Sequence, residues 1–173
     1  MARSDRRLDL LRRAALALCL VHGAGCASSV GPATAWQPWE TIEGRLRPEV
    51  VEPPVVYPVG ERLRVVTYNV HYAKDVEGIA RAIRQDPALA GLDVMLVQEI
   101  RSFPGEGSSR SSRLAAELGL GYAYAPAREF DDGTDGLAIF SRHRLENVAV
   151  MQLPRVEVAI KAVARPPLHE IAV

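Results

Sequence analysis

A chain of 173 residues, 48% of them hydrophobic and 24% charged, has room for one ordinary domain built around an apolar core. Net charge of +0 and a pI of about 6.9 exclude a global field that would draw it to nucleic acid or anionic lipid, leaving only a local basic groove for such partners. The Cys count is 2, and Cys19 lies inside the apolar N-terminal run, so the fold must rest on its core and not on a disulfide scaffold.

Met1–Arg13 is rich in arginine, and Ala14–Val21 is a short apolar run, well below the ~20 residues of a membrane span. Small residues follow in Gly23-Ala24-Gly25-Cys26, completing the n-region, h-region and cleavage zone of a secretory signal over residues 1–26. Ala24-Gly25-Cys26 resembles a bacterial lipobox, which implies lipidation at Cys26, export to the bacterial cell envelope and contact with the membrane through that anchor. Gly23 stands where leucine is usual, so a cleaved, unlipidated product and a short buried helix are the competing readings. A mature chain beginning at Cys26 has no second cysteine and no disulfide.

Residues 27–60 carry Pro48, Pro53, Pro54 and Pro58 and are expected to form a semi-rigid tether, with Trp36 and Trp39 docking on the domain that occupies 61–173. In that domain Arg64–His71 reads as a strand. Asp75 is placed to cap a helix that puts Val76, Ile79, Ala80 and Ile83 on one face, ended by Pro87 and Gly91. The continuous run Val94-Met95-Leu96-Val97 is that of a strand covered on both faces. Phe103–Ser109, with Pro104, Gly105 and Gly107, is expected to be a mobile loop. Ser112 is placed to cap a second helix, closed by Gly119. Tyr122–Ala127, Gly136–Ser141 and Asn147–Leu153 read as strands, and Asp132-Gly133 signals a turn. Val156–Val163 suits a strand or a helix.

A parallel strand–helix–strand unit brings the ends of both strands to one edge of the sheet, where α/β proteins hold ligands. Asn69 and Glu99 fall at those ends, and an amide oxygen beside a carboxylate suits a hard cation; a side chain capping the following turn is the plainer alternative for Asn69. A carboxylate so close behind four apolar strand residues is costly to desolvate without a cation or donor. His71 and Arg101 are candidate phosphate contacts; a loop histidine and a solvated loop arginine are the plainer alternatives. Tyr124 is expected in the core, Asp131, Asp132 and Asp135 in a hairpin turn, and Ser141 has no base partner in view.

Thr67-Tyr68-Asn69-Val70, Gln98-Glu99 and Asp135-Gly136-Leu137-Ala138-Ile139-Phe140-Ser141-Arg142 together resemble the N-terminal half of the endonuclease/exonuclease/phosphatase superfamily of metal-dependent phosphodiesterases, over roughly Arg62 to Pro154. The resemblance implies an α/β fold, half of a four-layer α/β/β/α sandwich, with Asn69 and Glu99 in a Mg or Mn site. It implies a phosphodiester substrate: nucleic acid, phospholipid head group or small phosphoester. No G-D-x-N segment occurs, no Asp follows Asp135, and His169 behind Pro166-Pro167 lacks the preceding Thr or Asn, so the family's water-activating half is absent from these 173 residues. A chain ending at Val173 is therefore expected to be inactive, and a half-sandwich to leave an inner sheet face uncovered. A break in the reading frame near Arg155 ranks above a deliberate half-domain. The alternative is a non-catalytic envelope lipoprotein that binds a partner.

Overall fold

A computed structural model of the chain describes residues 35–55, 63–153 and 157–165. Its strands, in chain order, are β1 (Gln37–Pro38), β2 (Glu49–Val51), β3 (Val65–Tyr72), β4 (Val94–Ser102), β5 (Gly121–Phe130), β6 (Gly133–Ser141), β7 (Arg144–Leu153) and β8 (Glu157–Arg165). The helices are α1 (Val76–Gln85) and α2 (Arg110–Leu118). A five-stranded sheet runs β2-β5-β6-β4-β3, with β3 parallel to β4 and the other pairs antiparallel. A three-stranded sheet runs β1-β7-β8, all antiparallel.

Alternation along the strands, reset at the bulges, sorts the core into two halves. Val66, Tyr68 and Val70 of β3, Met95 and Val97 of β4, Tyr122 and Tyr124 of β5, and Ala138 and Phe140 of β6 meet both helices on one face. Val94, Leu96, Ala123, Ala125 and Ile139 face the other way, against Leu145, Val148 and Val150 of β7 and Val158, Ile160 and Ala162 of β8. The result is helices on a sheet on a second sheet, an α/β arrangement that matches part of the expected sandwich. The inner sheet face expected to lie bare is thus largely covered. The exception is β3, none of whose residues joins the inter-sheet core, and Val65 stays 41% exposed.

Local chemistry explains the helix ends. The Asp75 carboxylate accepts from the Gly78 amide at 2.8 Å, a cap of about 1 kcal/mol. Val76, Ala80 and Ile83 are buried, with Ile79 packed beside them. The second helix is capped by Ser109 and not by Ser112, whose own amide donates to the Ser109 hydroxyl at 3.0 Å. Gly119 takes the left-handed C-cap conformation, at φ 66°.

Three other expectations change. The turn between β5 and β6 is Asp131-Asp132, since Gly133 already pairs with Phe130. Of Val156–Val163, which suits either helix or strand by sequence, the described part belongs to β8, which pairs along β7. Residues 35–55, expected in the tether, contribute β1 to one sheet and β2 to the other, and Trp39 packs against the inter-sheet core. The Glu49 carboxylate anchors this segment by accepting from the Tyr122 hydroxyl and from Ser109 Oγ at 3.1 Å. Burial first, and Glu49 second, push the Tyr122 hydroxyl up to about 12. Residues 1–34, with Cys26 and the signal-like segment, lie outside the described residues, as do 56–62 and 166–173.

Candidate metal site at the β3–β4 edge

Alternation alone would send Glu99 into the helix-side core with Met95 and Val97. A bulge prevents this: the β4–β6 register slips between Val97 and Ile100, and Ile100 takes the buried place. Glu99 itself adopts φ 57°, and its side chain is 44% exposed at the sheet edge. The desolvation cost expected of this carboxylate is therefore largely avoided, and the carboxylate is held where a solvated cation can reach it. Neither polar residue ends its strand, since β3 continues to Tyr72 and β4 to Ser102.

Asn69 lies on the β3 face that the second sheet leaves open, in register with Gln98. Its side-chain oxygen accepts from the His71 amide at 2.9 Å, which leaves a second lone pair. Next, His71, Tyr72 and Ala73 occupy φ of 43°, 73° and 51°, three successive left-handed residues without a glycine. Such residues cost about 1–3 kcal/mol each unless their surroundings hold them. His71 lies within β3, exposed, with its Nδ1 3.9 Å from Glu99 Oε2. Asn69, His71 and Glu99 thus come together at one edge.

Arg101 does not join them as a free phosphate fork. It is 13% exposed, and its guanidinium carbon sits 3.6 Å from the ring centres of both Tyr72 and Phe130. Its Nε is 3.8 Å from Asp135 Oδ2, and Arg128 donates to the same oxygen at 2.9 Å. Arg101 is thus no solvated loop residue; it bridges β3 to the β5–β6 hairpin. Asp135 belongs to β6, outside the turn. Tyr124 is buried, with its hydroxyl on Thr134 Oγ1 at 2.9 Å and its ionisation pushed up by burial. Ser141 is buried and accepts from the His143 amide.

Sequence reasoning missed Tyr72, Glu106 and Arg110. Phe103–Ser109, expected to be mobile, contains a 3-10 turn over Pro104–Glu106. Glu106 accepts from Arg110 Nε at 3.0 Å and from Arg113 Nη2 at 3.1 Å, and Arg110 Nη1 donates to the Tyr72 carbonyl at 2.7 Å. The Arg110 guanidinium, through its hydrogen bond, holds the Glu106 carboxyl below the usual carboxylate range. The i,i+4 spacing of Glu106 and Arg110 was the available signal.

Two oxygen donors at an exposed edge fit Mg²⁺, which keeps several waters and takes one or two carboxylates. Among the described residues no group of three or more His, Cys, Asp or Glu is arranged to hold a metal, so water or groups beyond them would complete the shell. Comparison with curated proteins and with solved structures found no match. The model of the Endonuclease/Exonuclease/phosphatase family matches residues 66–171, continuing through β8 and past Arg155, where the resemblance was expected to fade. With more than half of its length matched, and with Asn69, Glu99 and the β6 segment inside that span, the chain belongs to the endonuclease/exonuclease/phosphatase family.

Proposed function

We propose that this chain is a metal-dependent phosphodiester hydrolase by descent and that Asn69 and Glu99 hold its divalent cation, Mg or Mn. The observation that carries the assignment is the bulge at Gln98-Glu99, which keeps one carboxylate out of the core, at the edge where Asn69 pairs with Gln98 and His71 Nδ1 lies 3.9 Å from Glu99. Family membership supports the hydrolase class and a phosphodiester substrate. When bound, the cation would polarise a phosphoryl oxygen. Glu99 supplies the charge that holds it, Asn69 a neutral oxygen, and His71 a hydrogen-bonding group at the same edge. Arg101 acts by fixing Tyr72 and not by touching substrate.

Within these 173 residues there is no counterpart of the family's G-D-x-N or terminal Asp-His segments, the groups by which that family activates water. The span is expected to bind metal without turning over. Export, with Cys26 as a lipid anchor and residues 1–26 as the signal, is part of the proposal and rests on the sequence alone. Incubation with Mg²⁺ and plasmid DNA, a sphingomyelin vesicle or bis-p-nitrophenyl phosphate tests the inactivity. No product is expected; a Mg²⁺-dependent product lost in Glu99→Ala would overturn it. A second proposal, a non-catalytic envelope protein that binds a partner, draws support from β3, a sheet edge with Val65 exposed on it and Leu63 exposed just before it.

A further inference from the structure

We propose that Arg110 is a positioning residue for the metal site, acting through the Tyr72 carbonyl on the strained turn that orients Asn69. This rests on the assignment of Asn69 and Glu99 as cation ligands.

The geometry forms one continuous chain of contacts. Glu106 grips Arg110 through both carboxylate oxygens, and Arg110 sits at the first position of α2, which Ser109 caps. From there Arg110 Nη1 reaches the carbonyl of Tyr72 at 2.7 Å. Tyr72 is the middle of the three left-handed residues, and the next bond back runs from the His71 amide to Asn69 Oδ1 at 2.9 Å. A run of side-chain-bearing residues at positive φ relaxes toward ordinary backbone unless tertiary contacts oppose it. Relaxation here would swing the His71 amide and release the Asn69 oxygen from its fixed direction. Two more contacts oppose relaxation, the Ala73 amide on the Val70 carbonyl at 2.9 Å and Arg101 stacked on the Tyr72 ring. Arg110 is the one that reaches the turn from a helix. It is 12% exposed, so water competes little for it. Loss of a hydrogen-bond partner of a metal ligand typically costs about 10–100-fold in metal affinity, and Arg110 acts one link further back, on the turn that holds the His71 amide against Asn69.

The test is Mn²⁺ affinity of the full 173-residue chain, read from water-proton relaxation, with thermal melting of the metal-free protein measured alongside. Arg110→Ala is expected to weaken Mn²⁺ binding about tenfold. Arg110→Lys keeps a donor for the Tyr72 carbonyl but loses the fork to Glu106, and is expected to fall between. Should Arg110→Ala fail to fold, Arg110→Lys and Glu106→Gln decide the matter, each weakening Mn²⁺ binding by a smaller factor. Unchanged affinity in every folded Arg110 and Glu106 variant, while Glu99→Gln loses the metal, would overturn the role of Arg110 and leave the site standing. If Glu99→Gln binds Mn²⁺ as the unmodified chain does, or neither binds, the site assignment fails and the role of Arg110 with it.

Discussion

Gly136 offers the sharpest test of how the edge carrying Asn69 and Glu99 is built. It lies in β6, paired with Ile100 on one side and Pro126 on the other, directly beside register slips in both neighbours. A Cβ added there would lie 2.2 Å from the Ala125 carbonyl oxygen and 2.9 Å from Pro126 Cα, and contacts under 3.0 Å are essentially never made by real Cβ atoms. Both obstacles are backbone, so no rotamer change relieves them and the strands must part. Overpacking of this kind costs about 3 kcal/mol, the upper end of its usual range. The lower entropy of the unfolded alanine chain offsets about 0.7 kcal/mol. At a urea slope of about 2 kcal/mol/M, Gly136→Ala should lower the unfolding midpoint by roughly 1 M. Gly105→Ala is the matched control, because its Cβ would meet nothing within 4 Å and its φ is not positive. That variant should hold or slightly raise the midpoint. Urea titration followed by tryptophan fluorescence reads both, since Trp39 packs on the inter-sheet core. Equal midpoints for the two variants would refute the claim that close backbone approach demands glycine at 136.

Further expectations concern buried groups. His143 is fully buried, and desolvation first, with Arg142 adding to it, holds its pKa below the ordinary 6.5 against the opposing pull of Asp93 at 3.7 Å. The unfolded chain therefore takes up a proton before the folded one. Stability should be complete above pH 6.5 and fall below it by up to about 1.4 kcal/mol per pH unit, until the folded pKa is reached. Melting curves from pH 5 to 7.5 should show this slope, and His143→Leu should flatten it; parallel curves would contradict the account. The raised Tyr122 ionisation has the opposite sign, with stability declining as pH climbs from 10 toward about 12. Tyr122→Phe should abolish that component and cost about 1–2 kcal/mol at neutral pH by leaving Glu49 short of a donor, measured by the same titration. Phe140→Ala, at a fully buried position under both helices, should cost about 3–5 kcal/mol; a loss below 1 kcal/mol by urea unfolding would show that this core is loose.

Much of this protein was fixed by local sequence. The Asp75 cap, the apolar spacing of α1, the continuous run of β4 and the left-handed Gly119 each follow from interactions within a few residues, so the β3–α1–β4 unit was legible in advance. Asn69 and Glu99 could be singled out as the proposed cation ligands too, because their segments resemble a family pattern. What required tertiary structure was every feature set by partners distant in the chain. Residues 35–55 carry short, proline-interrupted strands that look like linker, and they join the sheets only because β5 and β7 offer unpaired edges. Arg101 reads as a phosphate contact or a solvated arginine until Tyr72, Phe130 and Asp135 converge on it from three strands. The exposure of Glu99 is the clearest case. Alternation by twos would bury its carboxylate, and only pairing with β6 reveals the extra residue that turns it outward. A period of two is written in the sequence, whereas a bulge is a relation between two strands and exists only once they meet.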